Sequence, residues 1–299
     1  MDTRSSCSLT DAQLAVAMSL LGAAPEACYL EWQPYSKDRD MGLNHQMASL
    51  SCSISEAFYL RRTLVLPSTI CLFGLHTQRW PGEAAPGERC VPMGEIFDVR
   101  LLSGLVPIYL RDSLNKTGWA RHHFRGSGAV AHVPSKGWNS ERVRQMYPCG
   151  GPVKLVRRHV DSFWFSQCTR STANTRELAT AVNELVGAPS NAPKPMNILL
   201  RSGLFFAPKI KAAAAAIRAR IGRNYASIHV RRSDKLTACD PADCKNRDAW
   251  TRPDAIGRAL TLWMPEQSHV YIGSTEGPAF FAPLRRQFQL HFAEDYPAE

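Results

Sequence analysis

The chain has 299 residues, 44% hydrophobic and 21% charged, and its 36 basic against 26 acidic side chains give a net charge of +10. That length points to two α/β domains, the composition excludes wholesale disorder, and no apolar run reaches the roughly 18 residues of a membrane span. The basic excess is local, with nine Lys or Arg and one acid (Asp234) in residues 201–235, and no zinc-finger, RNP or basic-zipper pattern points to a nucleic-acid polymer.

Residues 14–24 form a short apolar stretch whose upstream flank sets Arg4 against Asp2 and Asp11, so an amphipathic first helix is expected rather than a signal peptide. Residues 1–28 are therefore read as an N-terminal extension. Tyr29-Leu30-Glu31-Trp32 reads as a strand. A helix is expected over about 44–61, with Asn44 as its N-cap and Met47, Leu50, Ile54, Ala57 and Phe58 on its buried face. Thr63-Leu64-Val65-Leu66-Pro67 is apolar enough to be a strand covered on both faces of a parallel sheet. Strand, helix and strand make a βαβ unit with Gly42-Leu43-Asn44 at the helix entrance.

Pro and Gly crowd residues 67–94, which read as a long loop. A helix is expected over 174–185, and the Pro-rich run 187–195 reads as the linker between a domain at 29–190 and a second at 196–299. In the second domain Pro208 opens a helix to Ile221, with Ile210, Ala214, Ile217 and Ile221 inward. Strands are expected at 226–231, 268–273 and 289–292, and helices at 253–263 and 278–287. That alternation argues for a parallel sheet. Of the nine cysteines, Cys239 and Cys244 stand close enough to pair in an oxidising compartment, or to remain free thiols in a reducing one. Cys52 reads as a small buried hydrophobe.

Two segments carry chemistry. Ile228-His229-Val230-Arg231-Arg232-Ser233-Asp234-Lys235 puts Arg231 at the carboxyl end of a strand, where parallel sheets bind ligands. A guanidinium there suits a departing diphosphate, His229 shares its side of the strand, and Asp234 is placed to hold a basic neighbour. A solvated basic strand end fits these residues equally well. Gly42-Leu43-Asn44-His45-Gln46 lets the backbone approach a ligand and presents helix-entrance amides to phosphate or sugar oxygens; a plain helix start is the alternative.

Together the two segments resemble the GDP-fucose protein O-fucosyltransferase family, particularly its plant and algal members. The resemblance takes in Gly42 to Gln46, Arg62 to Pro67, Val91-Pro92, Ile96 to Val99, Phe206-Ala207-Pro208, His229 to Asp234, Val270 to Glu276 and Phe280 to Leu284. It implies a GT-B-like fold, two Rossmann-like domains facing across a cleft, the second incomplete because the family continues with a strand and a Ser/Thr-rich loop. It implies GDP-fucose as donor, no cofactor or metal, and inverting transfer to a protein or glycan hydroxyl in the Golgi or ER lumen. The family's key arginine falls on Arg231. Gly42, Leu43, Asn44 and Gln46 fall on its donor loop, with His229, Arg232, Asp234, Ser274 and Thr275 near the nucleotide. His45 stands where many members have asparagine, and Met41 where one branch has glutamate. His45 and Asp40 are therefore the candidate bases.

Other patterns carry less. Asp38-Arg39-Asp40 has a metal-binding spacing common by chance, and Gly126-Ser127-Gly128 lacks the helix a dinucleotide fingerprint needs. His122-His123, the glycosylation triplet Asn115-Lys116-Thr117 and Phe163-Trp164-Phe165 have simpler readings as loop, sequon and buried strand. Two alternatives compete with an active transferase: a nucleotide-sugar or glycan-binding module without turnover, and, on charge alone, a nucleic-acid-binding protein.

Overall fold

The structure is a computed structural model, and it describes residues 28–33, 42–72, 89–111, 128–134, 138–159, 205–222, 224–237 and 239–296. The chain divides into two compact units, one of Met1–Ile70 with Val91–Phe205 and one of Cys71–Cys90 with Phe206–Glu299. The division falls at Phe205–Phe206; the linker expected at 187–195, the helix at 174–185 and the stretch at 14–24 lie outside the described residues.

The first unit holds a five-stranded parallel sheet. Its strands are β1 (Tyr29–Gln33), β2 (Thr63–Pro67), β5 (Ile108–Arg111), β6 (Val130–Pro134) and β7 (Leu155–His159), in the order β5-β2-β1-β7-β6. Helix α1 (Leu43–Leu60) returns the chain from β1 to β2, so its N-terminus lies at the carboxyl end of β1. The helix is buried almost all round, since Ala48, Ser49, Ser51, Cys52, Ser53 and Glu56 join the expected Met47, Leu50, Ile54 and Ala57. Its serines remain compatible with burial by donating to backbone carbonyls three or four residues back, as Ser51 does to Ala48 at 2.6 Å. Its last turn closes on Arg61 in the left-handed region, at φ 53°.

The sheet's two faces differ. Leu30, Leu64, Leu66, Val156, Ala131 and Val133 share the face that α1 covers, together with Arg158, which is tied to Glu56 of α1 at 3.0 Å. Arg158 also donates to the carbonyls of Pro134 and Trp138, and Ser140 of α4 (Ser140–Met146) donates to Glu56. Desolvation raises the Glu56 carboxyl above the usual range, although Arg158 and Ser140 oppose it. The opposite face carries an apolar cluster of Val65 and Leu155 with Tyr29, Tyr109 and Val130, and beside it the charged Glu31 and Arg157, level with each other, with Arg111 one step nearer the carboxyl ends. At the amino end the buried Arg62 donates to the carbonyls of Tyr29, Tyr147 and Lys154, and burial lowers it to about 10.

The two described ends of the loop expected at 67–94 are strands. Strands β3 (Thr69–Leu72) and β4 (Arg89–Pro92) pair as a two-stranded sheet and are bridged by Cys71–Cys90, followed by the short helices α2 (Met93–Ile96) and α3 (Val99–Ser103). Further bridges join Cys28 to Cys149 and Cys239 to Cys244. Cys52 is also disulfide-bonded, with a partner outside the described residues, which corrects its reading as a free buried hydrophobe.

The second unit holds a three-stranded parallel sheet, β8 (Tyr225–Val230), β9 (His269–Ser274) and β10 (Gln289–His291), in the order β10-β9-β8. Its core gathers Val230, Val270, Ile272 and Leu290 from the strands with Leu260, Phe281, Leu284 and Phe288 packed above. Leu260 comes from α8 (Pro253–Thr261), and Phe281 and Leu284 from the 3₁₀ segment η1 (Pro278–Arg286), which Pro283 keeps from forming a regular α-helix. The two elements approach closely at Gly257, where a Cβ would stand 3.0 Å from Leu284. Helix α5 (Pro208–Ile221) begins on Pro208 as expected, but Ala214 is exposed and only Ile221 is buried. Between β8 and α8 lie α6 (Ser233–Thr237) and α7 (Pro241–Trp250), the latter capped by Asp240 accepting from the amides of Ala242 and Asp243.

Candidate functional site

Strand β8 ends at Val230, and the next two residues diverge. Arg231 is exposed, whereas Arg232 is 7% exposed and turned into the unit. The Arg232 guanidinium donates to Thr251 Oγ1 at 2.6 Å and pairs with Asp248 and with Glu276 at 3.4 Å; its Cζ lies 4.7 Å from the centre of the Phe280 ring. The hydrogen bonds of Asp248 to Arg232 and then Arg252 hold its carboxyl below the usual range.

The neighbouring strand fastens the same turn. Ser274 Oγ donates to the Val230 carbonyl at 2.7 Å and accepts from the Glu276 amide at 3.0 Å, while Thr275 Oγ1 accepts from the Arg232 amide at 3.4 Å. The Leu236 amide closes α6 onto the Arg232 carbonyl at 2.9 Å. Arg231 is thus carried on a backbone fixed from both sides, at the carboxyl end of a parallel strand. His229 is exposed on the face of β8 opposite the core. The chemistry such a turn supports is electrostatic: a forked cation held at a fixed point toward solvent.

In the first unit, Gly42 has extended backbone (φ −67°, ψ 167°) and is the N-cap of α1, with no side-chain cap. Asn44 is exposed inside the first turn, so the cap expected of it belongs to Gly42. A side chain at N2 points away from the orphan amides that an N-cap oxygen would serve. Leu43 is half-buried, Gln46 is buried, and the Gln46 amide donates to the Gly42 carbonyl at 3.4 Å. His45 and Asp234 lie in α1 and α6, but their side chains, like Asp40, Asp38 and Met41, are outside the described residues. The structure therefore groups Arg231, Arg232, Ser274 and Thr275 at the adjoining carboxyl ends of β8 and β9 in the second unit, and Gly42, Leu43, Asn44 and Gln46 at one helix entrance of the first.

Asp248, Thr251 and Glu276 were not singled out in the sequence. They are scattered over 29 residues of chain and converge only because Arg232 is buried among them.

A family model described as GDP-fucose protein O-fucosyltransferase matches residues 35–297, which takes in both groups. The chain belongs to this family. It is a fucosyltransferase-type glycosyltransferase. No curated protein sequence matches it. Among solved structures, POFUT1 in complex with GDP-fucose is similar at 13% identity and a TM-score of 0.47, over 92% of this chain and 86% of that one. A mutant of Arabidopsis thaliana FUT1 in complex with GDP is similar at 12% identity and 0.42, over 96% of this chain and 64% of that one. No helix among the described residues is long and apolar enough to cross a membrane.

Proposed function

We propose that this chain transfers fucose from GDP-fucose to a Ser or Thr hydroxyl of a protein acceptor by an inverting displacement without a metal ion. The observation that carries the reading is the Arg231 turn: a cation exposed at the carboxyl end of β8 on a backbone anchored by Ser274, Thr275 and Arg232. In the reaction the acceptor oxygen attacks the anomeric carbon, the bond from that carbon to the β-phosphate oxygen breaks, and the electron pair leaves on GDP. Arg231 takes up the charge that develops on the leaving diphosphate. The hydroxyl proton passes to His45 or Asp40, the two groups in or beside the Gly42 entrance with suitable chemistry. The oxidised state of all seven described cysteines supports maturation in the ER or Golgi lumen, because such bridges persist in oxidising compartments.

The test measures thermal stabilisation by GDP and transfer of labelled fucose in wild type, Arg231→Lys and Arg231→Ala. Loss of about 10²–10³-fold in transfer in Arg231→Ala, with weakened GDP stabilisation, is expected for removal of a preorganised donor. Partial retention is expected in Arg231→Lys, which keeps charge but not the fork. EDTA should leave transfer unchanged. Normal turnover in both His45→Ala and Asp40→Ala would remove those two as bases. Stabilisation by GDP with no fucose transfer to any acceptor would leave a binding module, and stabilisation by RNA but not GDP would overturn the reading.

A further inference from the structure

On the face of the five-stranded sheet away from α1, three charged side chains cluster toward the carboxyl ends, Glu31 level with Arg157 and Arg111 one step further along the face. Glu31, in the middle of β1, is 1% exposed and lies between Arg111 of β5, 8% exposed, and Arg157 of β7, 19% exposed. Arg111 Nη1 donates to one carboxylate oxygen and Arg157 Nε to the other. The cluster therefore carries one positive charge more than it carries negative. Each guanidinium has five N–H donors and uses one nitrogen on Glu31; among the described residues neither meets a second acceptor. An uncompensated cation this deeply placed is costly, and burial lowers Arg111 despite Glu31 beside it. Arg158, one residue from Arg157 but on the other face, shows the contrast: it is closed by Glu56 and two carbonyls.

The position of the cluster points to a ligand. Carboxyl ends of parallel strands are where ligands sit, and the α1 entrance at Gly42 lies at that same end of β1. Resting on the transfer reading above, the donor's diphosphate is already assigned to Arg231 of the second unit. The surplus charge in the first unit is then available to the other reactant, which for this family is a protein. We propose that Arg111 and Arg157, splayed and held by Glu31, form a carboxylate subsite that selects acceptor polypeptides with an Asp or Glu near the modified hydroxyl. Two guanidiniums with spare donors match a carboxylate by charge as well as by hydrogen bonding, which an amide matches by hydrogen bonding alone, and Glu31 holds both in place.

The experiment measures binding of fluorescently labelled Ser/Thr peptides to the full chain without GDP-fucose, Asp or Glu being scanned through the flanking positions against Asn or Gln at the same places. A preference of about tenfold or more for the acid at one position is expected. It should fall to near unity in Arg157→Gln, recover in part in Arg157→Lys, and persist in Arg144→Gln, which removes an equal charge at an exposed site. GDP stabilisation should be the same in all four proteins. Equal binding of acidic and amide peptides to wild type overturns the subsite even if fucose transfer is found. An acid preference lost in Arg157→Gln sustains it even if transfer is not. Weaker binding of GDP or inorganic phosphate to Arg157→Gln, with peptide preference intact, would assign the cluster to the donor and overturn the proposal. So would competition by uronic-acid sugars with no response to acidic peptides.

Discussion

At the scale of single residues, the adjacent Arg231 and Arg232 illustrate how one dipeptide divides its labour. Arg231 faces solvent, and Arg232 is spent on Asp248, Thr251, Glu276 and the face of Phe280. Under the proposed reading Arg232 is a positioning residue, acting through the turn it anchors rather than on the donor itself. Displacing a catalytic group by about 1 Å from a remote site can cost about 10²-fold in rate. Arg232→Gln is accordingly expected to lower kcat by about that factor, because a neutral amide cannot satisfy both Asp248 and Glu276. Arg232→Lys should recover only part of it, lacking the fork that reaches three acceptors. Comparing kcat with KM for GDP-fucose in the two variants checks this. A purely structural role would lower Tm and the active fraction while leaving the kcat of the folded enzyme unchanged.

At the scale of elements, the edge of the second sheet contains a hydrogen-bonded chain of titratable groups. His269 Nδ1 of β9 lies 2.8 Å from His291 Nε2 of β10, and His291 Nδ1 lies 2.8 Å from the Tyr296 hydroxyl. Desolvation, His269 and Arg285 lower His291 below its ordinary value, while Asp295 opposes them. The unfolded chain therefore binds a proton at His291 more readily than the folded one. Stability from this group is complete above about pH 6.5 and is lost as pH falls below that value toward the depressed folded pKa. Wild-type Tm should drop between pH 7.5 and 5.5, and the drop should shrink in His291→Phe; thermal melts across that range decide it. This edge also shows what the sequence made legible. Strands β8 to β10 and helix α1 have apolar runs or stripes that announce themselves. Strand β7, Leu155-Val156-Arg157-Arg158-His159, does not, because a central strand with three basic residues is tolerable only when partners such as Glu31 and Glu56 arrive on opposite faces. Helix α7 has no buried residue and hence no stripe to read. Arg231 and the Gly42 entrance were visible from position alone, whereas the ring of partners around Arg232 exists only after folding.

At the scale of the whole molecule, the disulfides set the conditions under which the chain can be a folded enzyme. Cys28–Cys149 closes 121 residues and ties the start of β1 to the turn that precedes β7, its neighbour in the sheet. Cys71–Cys90 closes 19 residues, and Cys239–Cys244 closes 5 at the start of α7. In the chain-entropy view a cross-link stabilises by restricting the unfolded ensemble, and its effect grows with the logarithm of loop length. That gives about 5 kcal/mol for the longest loop and about 2 kcal/mol for the shortest. The paired substitution Cys28→Ser with Cys149→Ser should therefore lower Tm by clearly more than Cys239→Ser with Cys244→Ser. Melting each variant with and without a thiol reductant separates the bridges. Reductant should erase the difference between wild type and the Cys28/Cys149 pair if that bridge dominates. If the short bridge proves the costlier to remove, its contribution comes from holding the Asp240 cap and α7 beside Arg232 in the native state. The same variant would then also weaken GDP stabilisation, an effect that entropy of the unfolded chain cannot produce.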